Sequence, residues 1–295
     1  MSDSSKPAHR AVTVGMFDGV HLGHRHILAT LRTTAAELGL EPVVVTFDRH
    51  PRKVLSPDTG ILRLTTNAER AALIHECGVE QIVELPFTRQ LASLSACEFL
   101  REVLVGQLGA RALVLGYDNM FGNKQRDDFA SLPDEAARLG VDLRVDEAVM
   151  MDGRDISSTR IRKALAAGRV EEASGLLGAH YSITGQVEQG FHIGRTLGFP
   201  TANITIPTGK TLPADGVYAV LCPTPAICNL GPRPTFGSAS RTLEVHLLGR
   251  HDDLYGQTLA VQFVARLRDI QTFPSAEALA VQLEKDSAHA LKILG

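Results

Sequence analysis

Several familiar chemistries are missing from this sequence of 295 residues. Its four cysteines, Cys77, Cys97, Cys222 and Cys228, form no CxxC pair, so neither a zinc site nor a disulfide framework is indicated, and all four are expected as buried thiols. No apolar run approaches the ~20 residues of a membrane span. The opening MSDSSKPAHR lacks the apolar core of a signal peptide, so a cytoplasmic protein without a membrane partner is expected. An excess of positive charge is lacking too: 30 Lys and Arg stand against 33 Asp and Glu, a net charge of −3. With no basic stripe to neutralise a phosphate backbone, no nucleic-acid partner is expected. Internal repeats, low-complexity linkers and the GxxxxGK[ST] phosphate loop are all absent. What survives is a globular protein for which small substrates remain open. A composition 44% hydrophobic and 21% charged is that of a folding chain, and the length suits two domains of about 100–200 residues each.

The texture of the chain changes once. In the first part, short apolar segments (AVTVG, PVVVTF, QIVELPF and ALVLG) alternate with helical patterns. One of these helices carries Ile27, Leu28, Leu31, Ala35 and Leu38 on one face; NAERAALIHECG and SACEFLREVLVGQLG are two more. Near-continuous apolar strands separated by amphipathic helices predict βαβ units and a parallel sheet covered on both faces, an α/β doubly wound, Rossmann-like domain. After a last helical stretch, TRIRKALAAGRVEEASGLLG, the pattern becomes short strands broken by Gly and Pro: YSITGQVEQG, GVYAVLC, TLEVHLLG and LAVQFVARL. The end, SAEALAVQLEKDSAHALKIL, reads as a helix with Leu279, Leu283, Ala290 and Ile293 near one face. This predicts a small antiparallel β-barrel closed by a C-terminal helix. The boundary is expected near residues 178–182, giving domains over 1–178 and 179–295.

Two local constellations carry chemistry. In VTVGMFDGVHLGHRHIL a strand ends at Gly15, a turn holds Gly19 and Gly23, and a helix begins around His24. At such an entry, free backbone N–H groups and the helix dipole favour anions, and the imidazoles of His21 and His24 add donors aimed at phosphate oxygens. Taken alone, an HxxH pair is more often incidental surface or a packed core pair. A zinc site would need a further ligand, and no nearby Cys or His has the spacing. Placement after a strand favours a triphosphate. The second constellation, ISSTRIR, sets the hydroxyls of Ser157, Ser158 and Thr159 before a predicted helix, with Arg160 and Arg162 adding positive charge. By itself it reads as an ordinary helix cap.

Together these residues carry a resemblance. GMFDGVHLGH resembles the HxGH signature of nucleotidyltransferases, in the form found in bacterial bifunctional riboflavin kinase/FMN adenylyltransferases (FAD synthetases), and ISSTRIR is similar to the second signature of that superfamily. TFDRHP, LPFT, LSACEFL, GRTLGFPTANI, LPADGVYAV, NLGPRPTF and DLYG resemble further blocks of the family in the family's order, over nearly the whole chain. The resemblance implies that the barrel phosphorylates riboflavin to FMN and that the first domain adenylylates FMN to FAD, each step using ATP and Mg²⁺. It assigns Gly15, Phe17, Asp18, Gly19, His21, Gly23, His24, Ser158, Thr159 and Arg162 to ATP in adenylyl transfer, with His21 and His24 catalytic. His50, Pro51, Asp118 and Phe121 fall on the flavin side of that site. In the kinase it assigns Gly194, Arg195, Gly198, Pro200, Asn229 and Arg268 to nucleotide and flavin, Thr201 and Asn203 to the metal, and Glu244 to the general base.

The residue types suit these assignments. Mg²⁺ takes oxygen ligands while keeping several waters, and a threonine hydroxyl and an asparagine carbonyl are such ligands. Strand alternation puts Leu243, Val245 and Leu247 on one face and Glu244 with His246 on the other. One stretch departs from the family: GYDNMFGNKQRDDF has Asn119 where an aromatic is usual and Asp127–Asp128 where glycine is usual. That departure leaves room for a second reading, an intact kinase whose first domain prefers another acceptor. A third, a non-catalytic flavin- or nucleotide-binding regulator, would be expected to lose a reacting residue, yet His21, His24, Thr201, Asn203 and Glu244 are all present.

Overall fold

In the computed structural model the described residues are 9–55, 60, 62–117, 121–123, 126, 129–188, 199–232, 241–249 and 254–295. The chain divides into two compact units, Met1–Ser157 and Ser158–Gly295.

The first unit runs β1 (Arg10–Val14), α1 (Leu22–Leu38), β2 (Glu41–Phe47), α2 (Pro51–Leu55), α3 (Asn67–Glu76), β3 (Gln81–Leu85), α4 (Arg89–Ser93), α5 (Ala96–Glu98, continuing as a π-helical stretch over Phe99–Val105), β4 (Ala110–Gly116), α6 (Leu132–Arg138) and β5 (Asp142–Asp146). The strands form a parallel sheet in the order β3-β2-β1-β4-β5. This is the doubly wound sheet the alternating segments predict. Both of its faces are apolar, which is why the strands read as continuous hydrophobic runs. Val12, Val14, Val43, Val45, Leu113 and Leu115 pack against Phe99, Leu100 and Leu104 on one side. Ala11, Val44, Ala112 and Val114 pack against Leu28, Leu31, Ala35 and Ile74 on the other. Leu38, expected on that face of α1, is 43% exposed in the last turn. Strand β5 is an addition to the sequence reading. DLRVD has only two apolar residues, and Val145 is 62% exposed, as suits an edge strand with little of itself to bury. A hairpin, β6 (Met150–Met151) and β7 (Arg154–Asp155), ends the unit.

The second unit opens with α7 (Ser158–Ala166) and α8 (Val170–Leu177), followed by β8 (Tyr181–Glu188), β9 (Ala202–Ile204), β10 (Gly216–Cys222), β11 (Thr224–Pro232), β12 (Arg241–Leu247), β13 (Thr258–Arg268) and α9 (Ala276–Leu294). The strands close into a barrel in the order β10-β11-β12-β9-β8-β13. Closure removes every exposed edge from strands too short to stand alone. Tyr218 and Phe263 fill the interior edge to face, with centroids 5.2 Å apart. On the outside, Leu283, Ala290 and Leu294 of α9 pack against Ala219 and Ile227. Leu294 takes the place expected of Ile293, which is exposed.

The division between the units falls at Ser157/Ser158, ahead of the boundary expected near 178–182. Helix α8 sides with the barrel because its buried face covers it, and α7 packs on α8. Val170, Ala173, Leu176 and Leu177 of α8 are buried, with the helix against β8 and β13. The Leu165 carbonyl accepts from the Ala214 amide at 2.9 Å, and Glu171 Oε1 accepts from the Arg266 amide at 3.2 Å. None of the four cysteines is in a disulfide; Cys222 and Cys228 are buried, whereas Cys77 and Cys97 keep part of their surface. No helix among the described residues is long and apolar enough to cross a membrane.

Candidate functional site

Between β1 and α1 the chain makes a tight, strained turn. Phe17 and Val20 adopt positive φ of 48° and 41°, a region non-glycine residues avoid, and Gly19 has φ of 87°. Such strain persists only where neighbours over-determine it, and here they do. Gly15 N donates to Val45 O (3.0 Å) and Gly19 N to Thr65 Oγ1 (3.1 Å). The buried Asp18 carboxylate accepts from the amides of Leu64 (2.9 Å) and Thr65 (3.1 Å), and Phe17 is 1% exposed in the core. Asp18 therefore fastens the turn to the segment before α3.

The turn delivers two imidazoles to the N-terminus of α1. His21 is the N-cap, its Nδ1 accepting from the His24 amide at 3.3 Å. An accepting Nδ1 leaves the proton of the neutral ring on Nε2. The two rings stack with centroids 3.6 Å apart and planes 16° from parallel. Burial, and then the charge His21 would carry, hold the His24 pKa well below the ordinary histidine value, so its ring is neutral at neutral pH. His24 Nδ1 is enclosed with no hydrogen-bond partner among the described residues. Gly23 is what lets the rings meet: a Cβ there would stand 3.2 Å from Cε1 and Nδ1 of His21. Capped helix N-terminus, neutral donors and a bare backbone make an anion cradle.

Around this turn the C-terminal strand ends converge, where open α/β sheets take their ligands. His50, half-buried, precedes Pro51, the first residue of α2. Phe121, part-exposed, packs with its ring centroid 5.3 Å from that of Phe99 and 5.7 Å from that of Phe129. Asp118, together with Asn119, Asp127 and Asp128 of the atypical loop, lies outside the described residues. Ser158, Thr159 and Arg162 occupy the first turns of α7 in the second unit, where the neighbouring Arg160 lies 3.8 Å from Glu172.

In the barrel, register builds a second constellation. Asn203 of β9 pairs with Glu244 of β12, and Glu244 pairs with Asn229 of β11, so the three form one row across adjacent strands. Their strand neighbours Leu243, Val245, Cys228 and Leu230 turn into the barrel and are at most 1% exposed. The row itself shares the outer face with Ile227, two residues before Asn229. Thr201 stands two residues before Asn203, just ahead of β9. Hydroxyl, amide carbonyl and carboxylate are all oxygen donors, the set a hard cation such as Mg²⁺ takes. No group of three or more His, Cys, Asp or Glu among the described residues would hold a metal alone, so phosphate and water oxygens would complete such a shell. Gly194, Arg195 and Gly198 lie outside the described residues. Arg268 is paired with Asp286 of α9, its Nε and Nη2 at 3.0 and 2.8 Å from that carboxylate, and Gln282 donates to the same group.

Three residues to which the sequence reading gave no role make hydrogen bonds between separate elements. Arg70, buried on α3, donates to the carbonyls of Met16 (3.3 Å) and Phe47 (3.1 Å) and to Glu84 (3.1 Å), tying together the ends of β1, β2 and β3. The sequence signal was an arginine four residues before Ile74 on the buried side of a helix. Asp286 similarly interrupts the apolar side of α9. The Nδ1 of His246 lies 2.8 Å from the Pro200 carbonyl.

Comparison with known proteins also finds two parts, with 161–176 in neither and the second starting beside the boundary expected near 178–182. Residues 3–160 match the FAD synthetase family model and residues 177–294 the riboflavin kinase family model. The chain is 40% identical over 293 residues to the bifunctional riboflavin kinase/FMN adenylyltransferase of Pseudomonas fluorescens, covering 97% of this chain and 94% of that one. It is 36% identical over 290 residues to the protein of the same name from Escherichia coli (strain K12), covering 96% and 92%. A crystal structure described as a macrolide-efflux protein from Streptococcus pneumoniae superposes with a TM-score of 0.87 at 33% identity, covering 98% of this chain and 96% of that chain.

Proposed function

Since the chain belongs to the bifunctional riboflavin kinase/FMN adenylyltransferase family and makes FMN and FAD, we propose how its residues divide that work. In the barrel, the Glu244 carboxylate takes the proton of the riboflavin 5′-hydroxyl as that oxygen attacks the γ-phosphorus of ATP and ADP departs. Thr201 and Asn203 are the residues that would hold Mg²⁺, which when bound supplies charge neutralisation on the ATP phosphates. Pro200 and Asn229 flank them. The observation that carries this reading is the register that sets Asn203, Glu244 and Asn229 in one row.

In adenylyl transfer a phosphate oxygen of FMN attacks the α-phosphorus of ATP, and the bond to pyrophosphate breaks. No proton need be removed from an ionised phosphate, so the protein's task is alignment and charge stabilisation. His21 and His24 donate to the triphosphate from the N-terminus of α1, with Gly15, Phe17, Gly19 and Gly23 shaping the cradle. Asp18 contributes by holding the turn. Ser158, Thr159 and Arg162, the family's second signature, are proposed to bind ATP, and His50 and Pro51 to flank the flavin. The experiment is an HPLC time course of the purified protein with riboflavin, ATP and Mg²⁺. FMN is expected to appear first and FAD to follow; a protein that makes FMN but leaves supplied FMN unconverted would sink the adenylyl-transfer assignments.

A further inference from the structure

We propose that His246 is a positioning residue for phosphoryl transfer: its Nδ1–H holds the Pro200 carbonyl and so sets where Thr201 and Asn203 stand relative to Glu244. The inference rests on the assignment of those three residues to the kinase reaction. The ladder between β9 and β12 pairs Ile204 with Leu243, Asn203 with Glu244 and Ala202 with Val245. One step further the same register would bring His246 to Thr201, and beyond it stands Pro200, which has no N–H to give to a ladder. A side-chain bond takes over from the backbone pairing, with His246 Nδ1 at 2.8 Å from Pro200 O. A carbonyl only accepts, so Nδ1 carries the proton.

The clamp is enclosed. His246 is 9% exposed, and its ring meets that of Phe199 edge to face with centroids 5.1 Å apart. The chain entering Thr201 is thus gripped by packing on Phe199 and by a hydrogen bond to the Pro200 carbonyl, part of the Pro200–Thr201 peptide. Strand alternation places His246 on the same face of β12 as Glu244, two positions away, so the proposed base and the clamp share one rigid strand. Loss of the clamp frees the residues just before Asn203 while leaving Glu244 in its row. The predicted defect therefore falls on nucleotide binding more than on turnover. Nδ1–H donates from both the neutral and the protonated ring, so the clamp does not switch with pH.

The test is steady-state kinetics of FMN formation in the full chain, with FAD formation from supplied FMN as internal control. His246→Ala is expected to raise the KM for ATP about tenfold while kcat changes less than about threefold. His246→Asn, whose Nδ2–H can reach the same carbonyl, recovers most of that loss, and FAD formation is unchanged in both. Calorimetric affinity for ADP with Mg²⁺ should fall in parallel, and ¹⁵N shifts of the wild-type ring should report the Nδ1–H tautomer. An Nε2–H tautomer, an alanine variant with unchanged KM and ADP affinity, or an asparagine variant as impaired as alanine would each overturn the proposal. Thr201→Val separates the inference from its premise. If it leaves the ATP KM untouched, the premise falls and the inference with it; if it raises the KM while His246→Ala does not, only the positioning role is lost.

Discussion

The histidine turn of the first unit and the polar row of the barrel hold their side chains by different means. The turn is one continuous stretch, forced into positive φ at Phe17 and Val20 and kept there by its own Asp18 reaching out to the Leu64 and Thr65 amides and by Arg70 reaching in to the Met16 carbonyl. The row is three residues from three strands, unstrained, aligned by ladder hydrogen bonds. A strained turn concentrates chemistry in few residues and depends on its tethers. A row tolerates local change so long as register holds, because shifting a strand by one residue flips every side chain to the other face.

Substitutions can break this comparison, and the largest effect is expected at Glu244. Glu244→Gln keeps size and hydrogen bonding but removes the base, so kcat for FMN formation should fall by roughly 10²–10⁴ with modest change in the KM for ATP. FAD formation from supplied FMN should persist. Near-normal kinase turnover would mean that the row does not hold the base. His24→Ala should lower FAD formation by about 10²–10³ while FMN formation stays within about threefold. Equal loss of both products in a protein that still melts cooperatively would show that turn and row are not independent.

The unit boundary gives a third test. Residues 158–295 should fold and make FMN, whereas a fragment starting at 180 exposes the barrel surface that Val170, Ala173, Leu176 and Leu177 cover. At about 1.5–3 kcal/mol for each large apolar side chain, the shorter fragment should melt at least about ten degrees lower. Equal melting temperatures would show that α7 and α8 are dispensable to the barrel. Gly23→Ala is milder. With its new Cβ at 3.2 Å from the His21 ring, the ring must yield by a few tenths of an ångström. FAD formation should then fall about tenfold with the kinase unaffected; unchanged FAD formation would mean that the ring's position is not critical.

The smallest expected effect is the pH dependence of stability. Burial first, and His21 second, lower the His24 pKa in the folded state, so the unfolded chain binds more protons once the pH drops below about 6.5. The stabilisation is complete above that value and is lost as pH falls toward the lowered pKa. Between about pH 7.5 and 5.5 the first unit should lose more thermal stability in the wild type than in His24→Gln, by about 1 kcal/mol for each pH unit over which the difference acts. Identical slopes would mean that His24 titrates as it does in the unfolded chain.

Much of this was legible from patterns of near neighbours. The strand, turn and helix around His21 and His24 lie within one stretch, and the four apolar strands of the first unit announce a sheet buried on both faces. Strand β5 escaped because an edge strand with Asp142, Arg144 and Asp146 carries no apolar signature. Helices α7 and α8 read as part of the first unit because helical periodicity shows that a face is apolar and not which neighbour will cover it. The resemblance assigns Arg268 of ARLRD to nucleotide and flavin, and nothing local reveals its pairing with Asp286, eighteen residues on.

The sequence by itself determined the kinds of element that carry the two sites, because a glycine-bearing turn, a helix cap and an alternating strand are set by forces acting within a few residues, while the two chemistries were implied by the family resemblance those motifs carry. Tertiary structure alone decided the rest. Closure of the barrel chose the register that makes Asn203, Glu244 and Asn229 neighbours, and only the packed fold could bring Asp18 to Leu64 and His246 to Pro200. The physical reason is the separation along the chain. A contact between distant residues forms where the whole unit has lost its conformational freedom, and no local propensity records which partners that collapse will bring together.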